Sequence, residues 1–184
     1  ANHISWLDTV ILGNLVPVHF LSKHEIKTMP LIGWLATRAG TLYIKRGCSF
    51  SSMEAGSEIT ASLKQHHNSI VFAEGRTTYG DVKKFHSRLM QSAIDAHAMV
   101  QPVAIYYPRK NPETGETEIN PDSLFVGKIG ATESFHRIAR ARGIDAEVHF
   151  LEPINSAGMK REEIARYAHD KVVKVIERIK SSSR

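Results

Sequence analysis

Ser69-Ile70-Val71-Phe72-Ala73-Glu74-Gly75-Arg76-Thr77 sets the architecture of this 184-residue chain. Its short apolar run, bounded by polar residues, reads as a compact buried strand. The strand ends in an acidic residue, a glycine and an arginine, and in open α/β sheets ligands bind at the carboxyl ends of strands. Just before it, Ser51-Ser52-Met53-Glu54 is a capping-box pattern that opens a helix running to about His67 and closed by Asn68. Helix, strand and polar loop in that order form one unit of an α/β sheet.

The alternation extends in both directions. Ser5 to Asn14 is predicted to be a helix capped by Ser5, with Trp6, Leu7, Val10 and Ile11 at helical spacing. Leu15 to Leu21 is a β-rich run in which Pro17 favours an edge or a strand start. Pro30 to Ala39 reads as a helix stopped by Gly40, and Thr41 to Lys45 as a strand. Downstream, Phe85 to Ala98 is helical, and Val100 to Tyr107 is a strand containing Pro102. Asn111 to Asp122 is a polar hairpin or loop, Thr132 to Gly143 a helix with a basic end, and Glu147 to Glu152 a short strand. Lys160 to Lys180 closes the chain as an amphipathic helix, with Ile164, Tyr167, Ala168, Val172, Val175, Ile176 and Ile179 on one stripe. The fold expected is α/β, a mixed and mostly parallel sheet flanked by helices, in a single domain over residues 1–184.

Composition excludes several classes. With 42% hydrophobic and 23% charged residues the chain is neither disordered nor collagen-like. Cys48 is the only cysteine, so an intramolecular disulfide and a cysteine-built zinc site are out. The most apolar stretch, Thr9 to Leu21, is interrupted by Gly13, Asn14, Pro17 and His19 and falls short of the roughly 20 residues a bilayer helix needs. Lys+Arg 24 against Asp+Glu 19 gives +5, which suits anionic lipid, nucleic acid or phosphorylated metabolites and selects none of them. No Gly-x-Ser-x-Gly elbow, P-loop or Gly-x-Gly-x-x-Gly is present, which argues against serine hydrolases, P-loop nucleotidases and dinucleotide enzymes.

Two constellations can carry chemistry. His3 and Asp8 would not share a helical face, so they meet only if His3 lies in the turn before the helix and Asp8 on its first turn. A carboxylate on one imidazole nitrogen would fix the tautomer and make His3 a general base. The same spacing also suits a surface histidine and an aspartate drawn to the helix start by its dipole. In Glu74-Gly75-Arg76-Thr77, Gly75 permits close backbone approach and Arg76 can grip a phosphate, although a tight turn with a surface ion pair fits equally well. Lys45-Arg46-Gly47 ends another strand in the same way, and the two basic strand ends suggest one anionic pocket.

In order, these segments resemble the conserved blocks of the lysophospholipid acyltransferases, the bacterial family that acylates 1-acylglycerol-3-phosphate. Asn2-His3-Ile4-Ser5-Trp6-Leu7-Asp8 resembles the first block, Asn-His, four residues, then Asp. Lys23, Pro30, Ile32-Gly33-Trp34 and Gly40-Thr41-Leu42-Tyr43-Ile44-Lys45-Arg46 follow as the second. Phe72-Ala73-Glu74-Gly75-Arg76-Thr77 stands for the third, Phe-Pro-Glu-Gly-Thr-Arg, and Val100-Gln101-Pro102-Val103-Ala104-Ile105 for the fourth. The third block departs from the pattern: Ala73 replaces the proline, and the arginine comes one residue early.

The resemblance implies a catalytic domain with His3 as general base and Asp8 orienting it. Lys23, Arg46, Glu74, Gly75, Arg76 and Thr77 fall in acceptor-binding blocks, with Arg46 the first choice for the acceptor's phosphate and Pro102 shaping the pocket wall. It implies no metal or prosthetic group, and acyl-CoA or acyl carrier protein as co-substrate. The expected partners are a lysophospholipid acceptor and the cytoplasmic face of the inner membrane, not nucleic acid. The acceptor expected first is 1-acylglycerol-3-phosphate, giving phosphatidic acid. A lyso-ornithine lipid is the alternative suggested by the displaced Arg76, and a non-catalytic basic module binding lipid or nucleic acid is a remote one. Family members commonly carry a hydrophobic segment ahead of the first block, so an N-terminal membrane anchor is expected to be missing from this chain.

Overall fold

The computed structural model describes residues 1–23, 42–44, 52–127 and 129–182. The predicted helix at 30–39, together with Trp34, Arg46 and Cys48, lies outside them. Helix α1 (Leu7–Leu15) leads into strand β1 (His19–Lys23). β1 is the centre of a three-stranded parallel sheet, pairing on one side with β2 (Leu42–Ile44) and on the other with β3 (Ser69–Ile70). Helix α2 (Ser52–Lys64) makes the crossover before β3, as the capping pattern predicts.

Downstream the pairing changes sense. After helix α3 (Gln91–Asp95), strands β4 (Met99–Val100) and β5 (Val103–Tyr106) each take an antiparallel partner, β9 (Ile154–Asn155) and β8 (Glu147–Phe150) respectively. Strands β6 (Pro108–Lys110) and β7 (Thr117–Ile119) form the hairpin expected at the polar loop. The mostly parallel sheet expected from the sequence is therefore not what the described strands form: three of the five ladders are antiparallel and the sheets are small. Parallel pairing needs a crossover for each strand, and after β3 the connections are hairpins or returns from distant strands.

Other differences have local causes. The strand expected over 100–107 breaks at Gln101-Pro102, because proline cannot donate to a ladder. The helix expected from Phe85 begins only at a short 3₁₀ turn over Arg88–Met90. Upstream of it the His86 N–H donates to the Ala73 carbonyl at 2.8 Å, which ties residue 86 to the third block outside any helix. Helix α4 (Ala131–Arg140) and helix α5 (Arg161–Ser181) follow their predicted spans closely. On α5 every predicted stripe residue is buried except Tyr167, which is exposed. That stripe packs on β5, whose four residues are all buried, and Ile4, Leu12 and Phe20 join the same core.

Candidate active site

The site is assembled on the turn ahead of α1. Asn2 is buried, and its side chain acts as a strand residue: Nδ2 donates to the Ile105 carbonyl and Oδ1 accepts from the Ile105 N–H, both at 2.8 Å. This two-point clamp on β5 fixes the position of the next residue, His3. The chain then turns into the helix, with Asp8 as the second helical residue and His3 outside it, the arrangement that lets the two meet. His3 Nδ1 lies 2.7 Å from Asp8 Oδ2.

Asp8 is fully buried and carries four contacts. Oδ2 accepts from the N–H groups of Ile4 at 2.7 Å and Ser5 at 3.0 Å as well as facing His3. Oδ1 accepts from the Tyr107 hydroxyl at 2.6 Å. A carboxylate held by several donors is fixed in orientation, and its oxygen facing Nδ1 favours the tautomer with the proton there. The His3 ring is stacked on Phe72, with centroids 4.0 Å apart, and with Nδ1 facing Asp8 the second ring nitrogen is Nε2. The His3 side chain keeps 19% of its surface exposed. Ser5 does not act as the expected side-chain cap: Trp6 is the N-cap residue, and Ser5 Oγ only accepts from the Leu7 N–H at 3.4 Å.

The third block wraps the same turn. Glu74 Oε1 accepts from the His3 N–H at 3.3 Å, and the Thr78 N–H donates to the His3 carbonyl at 2.9 Å. Glu74 is buried and its Oε2 has no hydrogen-bond partner among the described residues. Burial pushes the Glu74 carboxyl above the usual carboxylate range, opposed chiefly by the His3 N–H. Gly75 sits at φ +69°, where a side chain would be strained. That left-handed turn swings the chain from the buried Glu74 to the exposed Arg76.

A buried carboxylate beside a partly exposed imidazole, with a strand end folded over both, is an arrangement that can act as a general base toward a hydroxyl. The family model described as Acyltransferase matches residues 1–106. The chain belongs to the acyltransferase family. It is 40% identical over 173 residues to the lyso-ornithine lipid O-acyltransferase of Pseudomonas aeruginosa, an alignment covering 94% of this chain and 64% of that protein. It is 32% identical to the 1-acyl-sn-glycerol-3-phosphate acyltransferase of Neisseria gonorrhoeae, over 82% of this chain and 57% of that one. The chain thus spans just under two thirds of the length of these relatives. The crystal structure of the 1-acyl-sn-glycerophosphate acyltransferase PlsC from Thermotoga maritima shares the fold, with a TM-score of 0.64 at 24% identity, over 98% of this chain and 64% of that one.

Within this acyltransferase domain, the remaining residues singled out from sequence separate into groups. His3, Asp8, Glu74 and Gly75 are brought together. Arg76 is exposed, and Thr77 is turned inward, its hydroxyl donating to the Phe125 carbonyl. That bond and the Phe125 N–H donating to the Ile4 carbonyl at 3.3 Å place the Phe125-Val126-Gly127 segment beside the first block. Lys23 ends β1, Arg46 lies outside the described residues, and Pro102 is buried, lining an apolar cavity of about 120 Å³. Neither His3 nor Asp8 lines that cavity. Among the described residues no cluster of three or more His, Cys, Asp or Glu could hold a metal ion.

Sequence reasoning left two contributors unrecognised. The Asn2 clamp could have been inferred from a polar residue fixed beside a strand-rich block, whereas Tyr107 lies 99 residues from its partner and carries no local signal.

Proposed function

We propose that this chain transfers a fatty acyl group from an acyl thioester, acyl-CoA or acyl carrier protein, to the free hydroxyl of a lysolipid, with His3 as general base. The observation that carries the reading is the buried Asp8 carboxylate 2.7 Å from His3 Nδ1, inside an acyltransferase domain. His3 Nε2 takes the proton from the acceptor hydroxyl as its oxygen attacks the thioester carbonyl. The tetrahedral intermediate collapses with loss of the thiolate, and the imidazolium returns its proton to the sulfur. Asp8 holds the tautomer throughout and balances the imidazolium charge. No acyl-enzyme forms, and the nucleophile is the substrate's own oxygen.

The acceptor we favour is a lyso-ornithine lipid. The 40% identity to a lyso-ornithine lipid O-acyltransferase supports it, as does the arginine displaced within the third block. The 1-acylglycerol-3-phosphate expected first from the sequence is kept as the second reading, supported by the 32% identity to the gonococcal enzyme. Arg46 and Arg76 are the cations assigned to the acceptor head group, and the reaction is placed at the cytoplasmic face of a membrane.

A thiol-release assay with one acyl-CoA and both lysolipids tests the reading. Thiol release is expected with higher kcat/KM for lyso-ornithine lipid, and His3→Ala is expected to lower kcat by about 10²–10⁴-fold. Retained turnover in His3→Ala removes His3 as the base. Absence of thiol release from the unaltered protein would favour the non-catalytic lipid-binding module, and a preference for 1-acylglycerol-3-phosphate would restore the second reading.

A further inference from the structure

The Asp8 carboxylate is held unevenly. Oδ2 faces three donors, the His3 ring and two backbone N–H groups, while Oδ1 has one, the Tyr107 hydroxyl at 2.6 Å. Removing that hydroxyl would leave Oδ1 buried without a hydrogen bond and let the carboxylate turn about its Cβ–Cγ bond, carrying Oδ2 off the imidazole.

We propose that Tyr107 is a positioning residue for the acyl transfer: its hydroxyl locks the Asp8 carboxylate in the plane that orients His3. The inference rests on the general-base reading above and assigns to the end of β5 a part in setting the base.

The placement of Tyr107 is built rather than incidental. The ring is fully buried, and its main chain is tied by the Asn120 N–H donating to the Tyr107 carbonyl at 2.8 Å. Two residues back, in β5, Ile105 holds Asn2. β5 and the residue that follows it therefore grip the first block at both ends, Asn2 through the backbone of Ile105 and Asp8 through the Tyr107 side chain. Tyr106 faces elsewhere, as alternation along a strand requires, and its ring lies under the Lys180 ammonium. Burial and the adjacent Asp8 charge push the Tyr107 phenol far above its ordinary pKa. The hydroxyl thus acts as a donor, and Asp8 is its one hydrogen-bond partner among the described residues.

Tyr107→Phe keeps the ring and removes only the hydroxyl. In this variant kcat is expected to fall about tenfold or more with KM for both substrates within about twofold, since no substrate contact is lost. The His3 titration, followed through its ring proton by NMR, should move to lower pH as Oδ2 leaves the imidazole, and the acid limb of the kcat/KM profile should move with it. In an Asp8→Asn background the added effect of Tyr107→Phe on kcat should largely vanish, because both changes act through one carboxylate. An unshifted His3 titration, or equal fold-losses in both backgrounds, overturns the proposal. The NMR arm reads the His3–Asp8–Tyr107 chain without turnover, so failure of the acyltransferase reading (no thiol release from the unaltered protein) is distinguishable from failure of this one. If Tyr107→Phe does not fold, Asp8→Asn alone still decides: a Tyr107 hydroxyl that has lost its anionic acceptor should show its proton resonance moved upfield of that in the unaltered chain, and an unchanged resonance counts against the contact.

Discussion

At the residue scale, the unusual feature is the number of buried polar groups spent on one turn. Asn2, Ser5, Asp8, Glu74 and Thr78 are all buried within the first and third blocks. Such groups cost folding free energy unless each finds a partner. Asn2 and Asp8 are satisfied by β5, Tyr107 and the turn's own backbone, but among the described residues Glu74 is satisfied on one oxygen only. Its pKa is raised above the ordinary carboxylate value, with burial the leading cause. A group whose folded pKa is raised binds its proton more tightly folded than unfolded. Its contribution is therefore most favourable below the unfolded pKa of about 4.3 and declines as pH climbs through the folded value. Glu74→Gln removes the titration. The difference in unfolding free energy between variant and parent, from urea melts across mildly acidic to neutral pH, should therefore move in the variant's favour as pH rises and level off above the folded pKa. A difference independent of pH would mean that Glu74 does not titrate with folding.

At the scale of elements, β5 and α5 carry the fold. The strand is buried along its length, and the helix lays Ile164, Ala168, Val172 and Ile176 on it. Ile164 is fully buried whereas Tyr167, on the same predicted stripe, is 49% exposed. Ile164→Ala should cost about 2–5 kcal/mol and Tyr167→Ala under about 0.5 kcal/mol, read from urea or thermal unfolding. Comparable losses would show that the stripe, not the burial, sets the energetics. The same pair shows what the sequence could and could not disclose. Helical spacing located α5 because a 3.6-residue period is a local property, but the width of its buried face depends on what packs above it. In the same way, capping residues marked α2, while the short strands and their antiparallel partners depended on contacts made far along the chain. The His3–Asp8 pair was legible because a turn and a helix start fix its geometry within six residues. Tyr107 was not, since only the closing of β5 against α1's leading turn brings it within 2.6 Å of Asp8.

At the scale of the molecule, the lysolipid acceptor proposed above would have to be met at a lipid surface. Among the described residues no helix is long and apolar enough to cross a membrane. What lies beside the turn is α4, tied to it where Trp6 Nε1 donates to Ser134 Oγ at 3.1 Å. With Ser134 turned inward, the next residue, Phe135, stands 54% exposed, and Arg140 and Arg142 are exposed at the helix's C-terminal end. An exposed aromatic on a helix that ends in exposed arginines is suited to an anionic interface, where each well-placed Lys or Arg contributes about 1 kcal/mol and an apolar side chain adds its own burial. The +5 net charge acts in the same direction. The chain should therefore co-sediment with vesicles of phosphatidylcholine containing phosphatidylglycerol and much less with phosphatidylcholine alone. Raising ionic strength from about 0.01 M to about 1 M contracts the Debye length from about 30 Å to about 3 Å and should release most of the bound protein. Phe135→Ser should lower binding further at high salt than at low, because the apolar part of the attachment is the part that salt does not screen. Arg140→Gln with Arg142→Gln should do the reverse, weakening binding at low salt and leaving the high-salt remainder unchanged. Equal binding to the two vesicle types, or a Phe135→Ser variant indistinguishable from the parent at both salts, would move the lipid-facing surface away from α4 and from the turn that carries His3.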